Sequence, residues 1–183
     1  FQIAYHAVVS QPRSEVVADQ ITNLCAVILD AAVNHLRVKH EERYGVPRGP
    51  NGETAQFSII GLGKLGGSEM NYSNDLEIMC VYDVEGKTDG LRSQANQFFF
   101  NAIAKDLAKL LGTLVCEDGI YQIDYRLKSA DDSLVMPLKE ACRHYDLAGR
   151  TWERQAFVKA RPVAGELELS EQFLARMAPW VYH

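Results

Sequence analysis

Two carboxylates two residues apart, Asp75 and Glu77, stand at the head of an apolar run, LEIMCVYD (76–83), that reads as a strand. Strands alternate their side chains, so both acids fall on one face with Cα atoms roughly 7 Å apart. Leu76, Ile78 and Cys80 fall on the other face. Acids at that spacing suit a pair of hard cations, which stand about 3.5–4 Å apart in two-metal sites. A third acid, Asp124, lies in a second alternating run, IYQIDYRL (120–127). There Ile120, Gln122, Asp124 and Arg126 share one face, and Tyr121, Ile123, Tyr125 and Leu127 the other. Ten to twelve residues before the acid pair comes a glycine turn, GLGKLGG (61–67). Its backbone N–H groups can face a phosphate, and Lys64 adds a cation within it. Carboxylate-held metals beside such a turn are the equipment of phosphoryl or nucleotidyl transfer. Arg126 can neutralise phosphate charge or act as a structural partner of the acids.

The same glycines support a competing motif. Gly61, Gly63 and Gly66 spell G-x-G-x-x-G, and Asp83 follows about twenty residues on, the outline of a dinucleotide-binding turn. That fold needs a helix of about ten or more residues between two parallel strands. Only SEMNYSN (68–74) separates Gly67 from Asp75, so the spacing argues against it.

A small sheet with helices packed on it is needed to position these groups. FSII (57–60) is a buried strand running into the glycines. Residues 14–44 carry Val17, Ile21, Leu24, Ile28, Ala32 and Leu36 at steps of three and four, a long helix stopped by Gly45 and Pro47. RGPNGET (48–54) and VEGKTDG (84–90) read as loops. Residues 91–111 form a helix with Ala95, Phe99, Ile103, Leu107 and Leu110 on one face and Gly112 after its end. From Pro137 onward the pattern is helical: Pro137 at a first helical position, Gly149 after an end, Thr151 as N-cap of TWERQAFVKA. Ser170 is expected to cap a last helix, EQFLARMA, before Pro179. The expected fold is α+β: a small mixed sheet flanked by helices, with a helical C-terminal extension. Residues 1–50 form an N-terminal helical segment packing on the core, 51–135 the core, and 136–183 the extension.

Composition narrows the function. The 183 residues are 47% hydrophobic and 23% charged, ordinary for a globular chain. A net charge of −5 disfavours a nucleic-acid binder. No eighteen consecutive apolar residues occur, so no membrane span is expected. Cys25, Cys80, Cys116 and Cys142 lie far apart in apolar surroundings and are expected as buried thiols of a cytoplasmic protein. His35 and His40 are five apart and do not share a helix face. The opening residues, FQIAYHAVVS, lack both a basic n-region and an initiator Met. The chain is therefore expected to be an excised piece or a processed form.

The chemistry-bearing segment resembles the nucleotidyltransferase superfamily, whose pattern is a glycine and a small residue, about ten more residues, then D-h-[DE]-h. Gly63 and Lys64 stand at the first pair, and Asp75-Leu76-Glu77-Ile78 is the acid motif. More narrowly, GLGKLGGSEMNYSND, GIYQIDYRL (119–127) and WERQAFVKARPVAG (152–165) resemble the glutamine synthetase adenylyltransferase family. The likeness runs over residues 55 to 183. In that family one catalytic half removes AMP from a tyrosine of glutamine synthetase by phosphorolysis, and the other adds it from ATP. Glu69-Met70-Asn71-Tyr72-Ser73 is closer to the pattern of the amino-terminal, removing half.

The resemblance implies that Asp75, Glu77 and Asp124 are catalytic and bind Mg²⁺, two ions by the superfamily's habit. It implies that Gly63, Lys64 and Arg126 contact nucleotide or phosphate, and that ATP or ADP is substrate or product. Glutamine synthetase is the implied protein partner, with nitrogen-signalling regulators acting through parts outside this chain. No nucleic acid or membrane is expected as a partner. Glu77 stands where the family usually has aspartate. Arg126 to Asp132 stand where it usually reads RLRP-x-G-x-x-G. Lys159 and Arg161, two apart, are expected not to share a helix face, so at most one reaches the site. Trp152 and Phe157 read as core, Glu69 as a neighbour of the site rather than a ligand, and Asn71 and Ser73 as polar turn residues. Two alternatives stay open on these residues: a nucleotide- or partner-binding module without chemistry, and a nucleotidyltransferase with another acceptor.

Overall fold

In a computed structural model, residues 2–72, 75–113, 121–127 and 133–182 are described. Cys116, Ser73, Gly119, Ile120 and the segment 128–132, all used in the sequence reading, lie outside them. In chain order the elements are α1 (Gln2–Val9), α2 (Ser14–Tyr44), β1 (Pro47–Arg48), β2 (Phe57–Gly61), α3 (Gly63–Gly66), β3 (Asp75–Tyr82) and β4 (Lys87–Thr88). Then come α4 (Asn96–Thr113), β5 (Gln122–Tyr125), β6 (Val135–Pro137), α5 (Leu138–Ala148), α6 (Thr151–Phe157), β7 (Arg161–Gly165) and α7 (Leu167–Tyr182).

The main sheet runs β5-β3-β2-β7, with β6 continuing the β5 side of β3. β2 is antiparallel to both β3 and β7. β5 and β6 are parallel to β3. This mixed sheet between helices is the expected α+β architecture. The antiparallel β2–β3 pair also disposes of the dinucleotide-binding alternative, which needs parallel neighbours there.

Period two sorts β3 between two cores. Leu76, Ile78, Cys80 and Tyr82 join Phe57 and Ile59 in a cluster under α2 and α4. Met79 and Val81 join Ile60 and Leu62 in a second cluster under α5, α6 and α7. The first cluster takes Phe99, Phe100, Ile103 and Leu107 from α4 and Ile21, Cys25, Leu29 and Leu36 from α2. The buried stripe of α2 is thus rotated from the expected one, and Leu24 is exposed. By length and composition alone α2 could cross a membrane, but here that stripe packs on the sheet. Cys25, Cys80 and Cys142 are buried as expected. Burial pushes the Cys25 and Cys80 thiols up, and the Tyr121 and Tyr125 hydroxyls with them.

Three expectations along the C-terminal third are corrected. Residues 161–165 are a strand, not helix, because Val163 and Ala164 complete the first cluster along β2. Ser170 is no cap: it lies inside α7, buried, and its hydroxyl donates to Ser58 Oγ at 2.6 Å, tying that helix to β2. Pro179 does not end α7, which runs on to Tyr182. Trp180 on that last turn packs on Tyr145 and Phe157. Three boundaries differ as well. The helix expected over 91–111 begins only at Asn96, with Ala95 bridged to Lys87. Pro137 closes β6 rather than opening a helix, and Arg150 occupies the N-cap position of α6, its N–H donating to Glu153 Oε2 at 2.6 Å. Lys87–Thr88, expected as loop, pairs with Pro47–Arg48.

Candidate active site

The acids come together because two strands with alternating side chains are held in one register. β3 and β5 align Asp75 with Gln122 and Glu77 with Asp124. Parallel neighbours stand about 4.8 Å apart, so Glu77 and Asp124 are side by side on the face opposite Leu76 and Ile78. Asp75 is exposed on the same face, two residues before Glu77. Behind this face the strands are fixed by burial: Leu76 and Ile78 are fully enclosed, and Tyr125 donates its hydroxyl to Ala104 O of α4.

The glycine turn closes over Glu77. Leu62 N donates to Glu77 O at 2.9 Å, and Gly63 follows with φ +51°, a left-handed backbone. A Cβ on Gly63 would stand 2.6 Å from Glu77 Oε2, so only glycine lets this carboxylate lie against the turn. Gly66 meets a second backbone: a Cβ there would stand 2.2 Å from Lys159 O. Lys64, Leu65, Asp75 and Glu77 line a small open cleft of about 110 Å³. Lys64 is exposed and makes no ion pair with an acid among the described residues.

Arg126 sits across the acids. Its Nη2 is 3.1 Å from Glu77 Oε1 and its Nε 2.9 Å from Asp124 Oδ2. Two carboxylates in adjacent register repel unless a cation lies between them, and here a guanidinium fills that role. The donors are all carboxylate oxygens, accessible to solvent and already gathered about a positive charge. That chemistry fits a hard divalent cation. Among the described residues no three His, Cys, Asp or Glu side chains converge as a ready-made cage. Asp75 shares the cleft with Glu77 but not the Arg126 bridge.

The remaining candidates separate clearly. Lys159 Nζ lies 2.7 Å from both carboxylate oxygens of Glu69, joining the segment after the glycine turn to the approach to β7. Arg161 leaves β7 to donate from Nη2 to Leu65 O at 3.2 Å. Both thus brace the turn, one through a side chain and one through a carbonyl. Their strand and turn setting removes the helix-face argument that allowed only one of them. Phe157 is core, as expected, whereas Trp152 is half exposed. Thr22 adds a further brace: its hydroxyl accepts from Met70 N at 3.2 Å and ties the far end of the turn to α2. A threonine inside a long helix carries no sequence signal for that role.

This arrangement of glycine turn and paired acids can be set beside known proteins. The bifunctional glutamine synthetase adenylyltransferase/adenylyl-removing enzyme of Thioalkalivibrio sulfidiphilus is 34% identical over 164 residues, covering 88% of this chain and 17% of that protein. The like-named enzyme of Pseudomonas aeruginosa is 34% identical over 166 residues, covering 88% and 17%. That of Hahella chejuensis is 29% identical over 185 residues, covering 100% and 19%. The chain spans less than a fifth of the length of these relatives. The model of the glutamate-ammonia ligase adenylyltransferase family matches residues 1–176, a span that holds the glycine turn, Asp75, Glu77 and Asp124. On that match the chain belongs to the glutamate-ammonia ligase adenylyltransferase family.

Proposed function

We propose that this chain is a nucleotidyl-transfer domain that removes AMP from a tyrosine of glutamine synthetase by phosphorolysis. An oxygen of inorganic phosphate forms a bond to the AMP phosphorus, the bond from phosphorus to the tyrosine oxygen breaks, and that oxygen takes a proton. The products are unmodified glutamine synthetase and ADP. The observation that carries this reading is the register of Glu77 beside Asp124 on neighbouring strands, with Asp75 on the same face and the glycine turn closed over Glu77. The direction is supported by Glu69-Met70-Asn71-Tyr72-Ser73, which resembles the removing half of the family.

Asp75, Glu77 and Asp124 would hold magnesium, which supplies charge neutralisation at the phosphates when bound. The chain's own part is orientation. The turn at Gly63 brings backbone close to the acids, Lys64 offers a cation beside Asp75, and Arg126 can pair with a phosphate oxygen. Signalling regulators would act through the parts of the relatives that this chain does not span.

Incubating adenylylated glutamine synthetase with the protein, magnesium and phosphate tests the reading. ADP should form, and only with phosphate present. AMP released by water alone, or adenylylation from ATP, would contradict it.

A further inference from the structure

The bridge at Arg126 occupies the oxygens that a metal would need. One edge of the guanidinium, Nε and Nη2, is divided between two acids: Asp124 Oδ2 at 2.9 Å and Glu77 Oε1 at 3.1 Å. The other oxygen of Glu77 lies against Gly63, at 2.6 Å from where a Cβ would stand. Glu77 thus lies between the turn on one side and Arg126 on the other. Its extra methylene, relative to aspartate, gives it the reach for both contacts.

We infer that Arg126 is a displaceable internal cation: it clasps Glu77 and Asp124 until a divalent cation takes them, and metal binding then frees the guanidinium for phosphate. The inference rests on the reading of these acids as a metal site and adds an order of events, metal first and phosphate second. The physics is competitive. A guanidinium and a dication compete for the charge of Glu77 and Asp124, and only the loss of both leaves like charges unneutralised in adjacent register. The clasp is also weak enough to yield. Arg126 and Asp124 are each 52% exposed and Glu77 is 37% exposed, so water screens both pairs. A buried pair would lock the site; this one only sets a threshold. The fork geometry matters, since a lysine ammonium keeps the charge but lacks the planar edge that spans two acids.

Mg²⁺ alone, titrated by calorimetry into the whole chain, tests this in wild type, Arg126→Lys and Arg126→Gln, with circular dichroism verifying the fold of each. Arg126→Lys is expected to bind Mg²⁺ roughly threefold more tightly than wild type, and Arg126→Gln roughly tenfold. In wild type the Arg126 Nε–H resonance, assigned by its loss in Arg126→Lys, should move with the same Mg²⁺ midpoint. Equal or weaker binding in Arg126→Lys, or a resonance unmoved at Mg²⁺ saturation, would overturn the clasp and leave the metal site standing. Absence of Mg²⁺ binding in all three folded proteins would overturn the metal site as well.

Discussion

Strand β3 begins with Asp75 exposed and Glu77 half-buried, and finishes with Met79, Cys80, Val81 and Tyr82 at no more than 1% exposure. The buried end is gripped from both sides, Cys80 and Tyr82 by the cluster under α2 and α4, Met79 and Val81 by the cluster under α5, α6 and α7. The open end is gripped on one face, by Leu76 and Ile78 in the first cluster, and its acid face is held by register with β5 and by the glycine turn. One strand is thus scaffold at one end and reagent at the other. The scaffold end fixes where the acids point without taking part in what they bind.

Mutations at the two ends should therefore fail in different assays. The largest effect is expected for Asp75→Asn, which removes a charge but little packing. AMP removal should fall on the order of 10³-fold, while the melting temperature of the metal-free protein should not drop, because one of several like charges is gone. Full activity with magnesium in this variant would remove Asp75 from the site. The opposite signature is expected from Ile78→Ala, three residues along and fully buried. It should lose about 2–5 kcal/mol of stability in urea unfolding, with metal binding retained in the folded fraction.

The turn lies between these extremes. Gly63→Val combines strain at φ +51° with a collision against the Glu77 carboxylate. Lys64→Ala removes one exposed cation. ADP binding should weaken roughly tenfold or more in the first and no more than about threefold in the second. The reverse order would mean that charge, not backbone approach, governs the turn.

The smallest effect belongs to pH and to the scaffold end. Burial raises the thiols of Cys25 and Cys80 and the hydroxyl of Tyr125 above their ordinary values. The folded protein therefore keeps protons that the unfolded chain gives up. Stability from this source is whole below the unfolded thiol value of about 8.5 and is lost as pH rises beyond it toward the folded values. Urea midpoints should hold from pH 7 to 8 and decline above pH 9. A rising midpoint in that range would contradict the burial of these groups.

Much of this division can be read from the letters alone. DLEI followed by MCVY already shows charge giving way to unbroken apolar residues, and alternation in β5 places Asp124 opposite Tyr125. The glycine spacing shows a tight turn. What alternation cannot supply is register: nothing in the sequence says that Glu77, rather than Asp75, is the residue beside Asp124. Nor does it show that Gly63 is required by a carboxylate on its own chain as well as by any ligand. β7 escapes because Arg161–Gly165 carries a proline and a glycine and only two buried apolar residues. Its strand character is imposed by pairing with β2, a long-range contact. Ser170 and Pro179 mislead for the same reason. Local rules read them as a cap and a stop, while Ser58 and the aromatic cluster around Tyr145 hold the helix through both.

We propose the open end of β3 as a carboxylate site for metal-bound nucleotide. It is tested most directly by titrating ADP into the protein by calorimetry with magnesium and with EDTA, in wild type and in Glu77→Gln. Wild type should bind ADP only when magnesium is present, because Asp75, Glu77 and Asp124 otherwise repel the phosphates, and Glu77→Gln should lose most of that dependence while remaining folded. ADP binding that is equally tight in EDTA, or magnesium-dependent binding that survives unchanged in Glu77→Gln, would contradict the account.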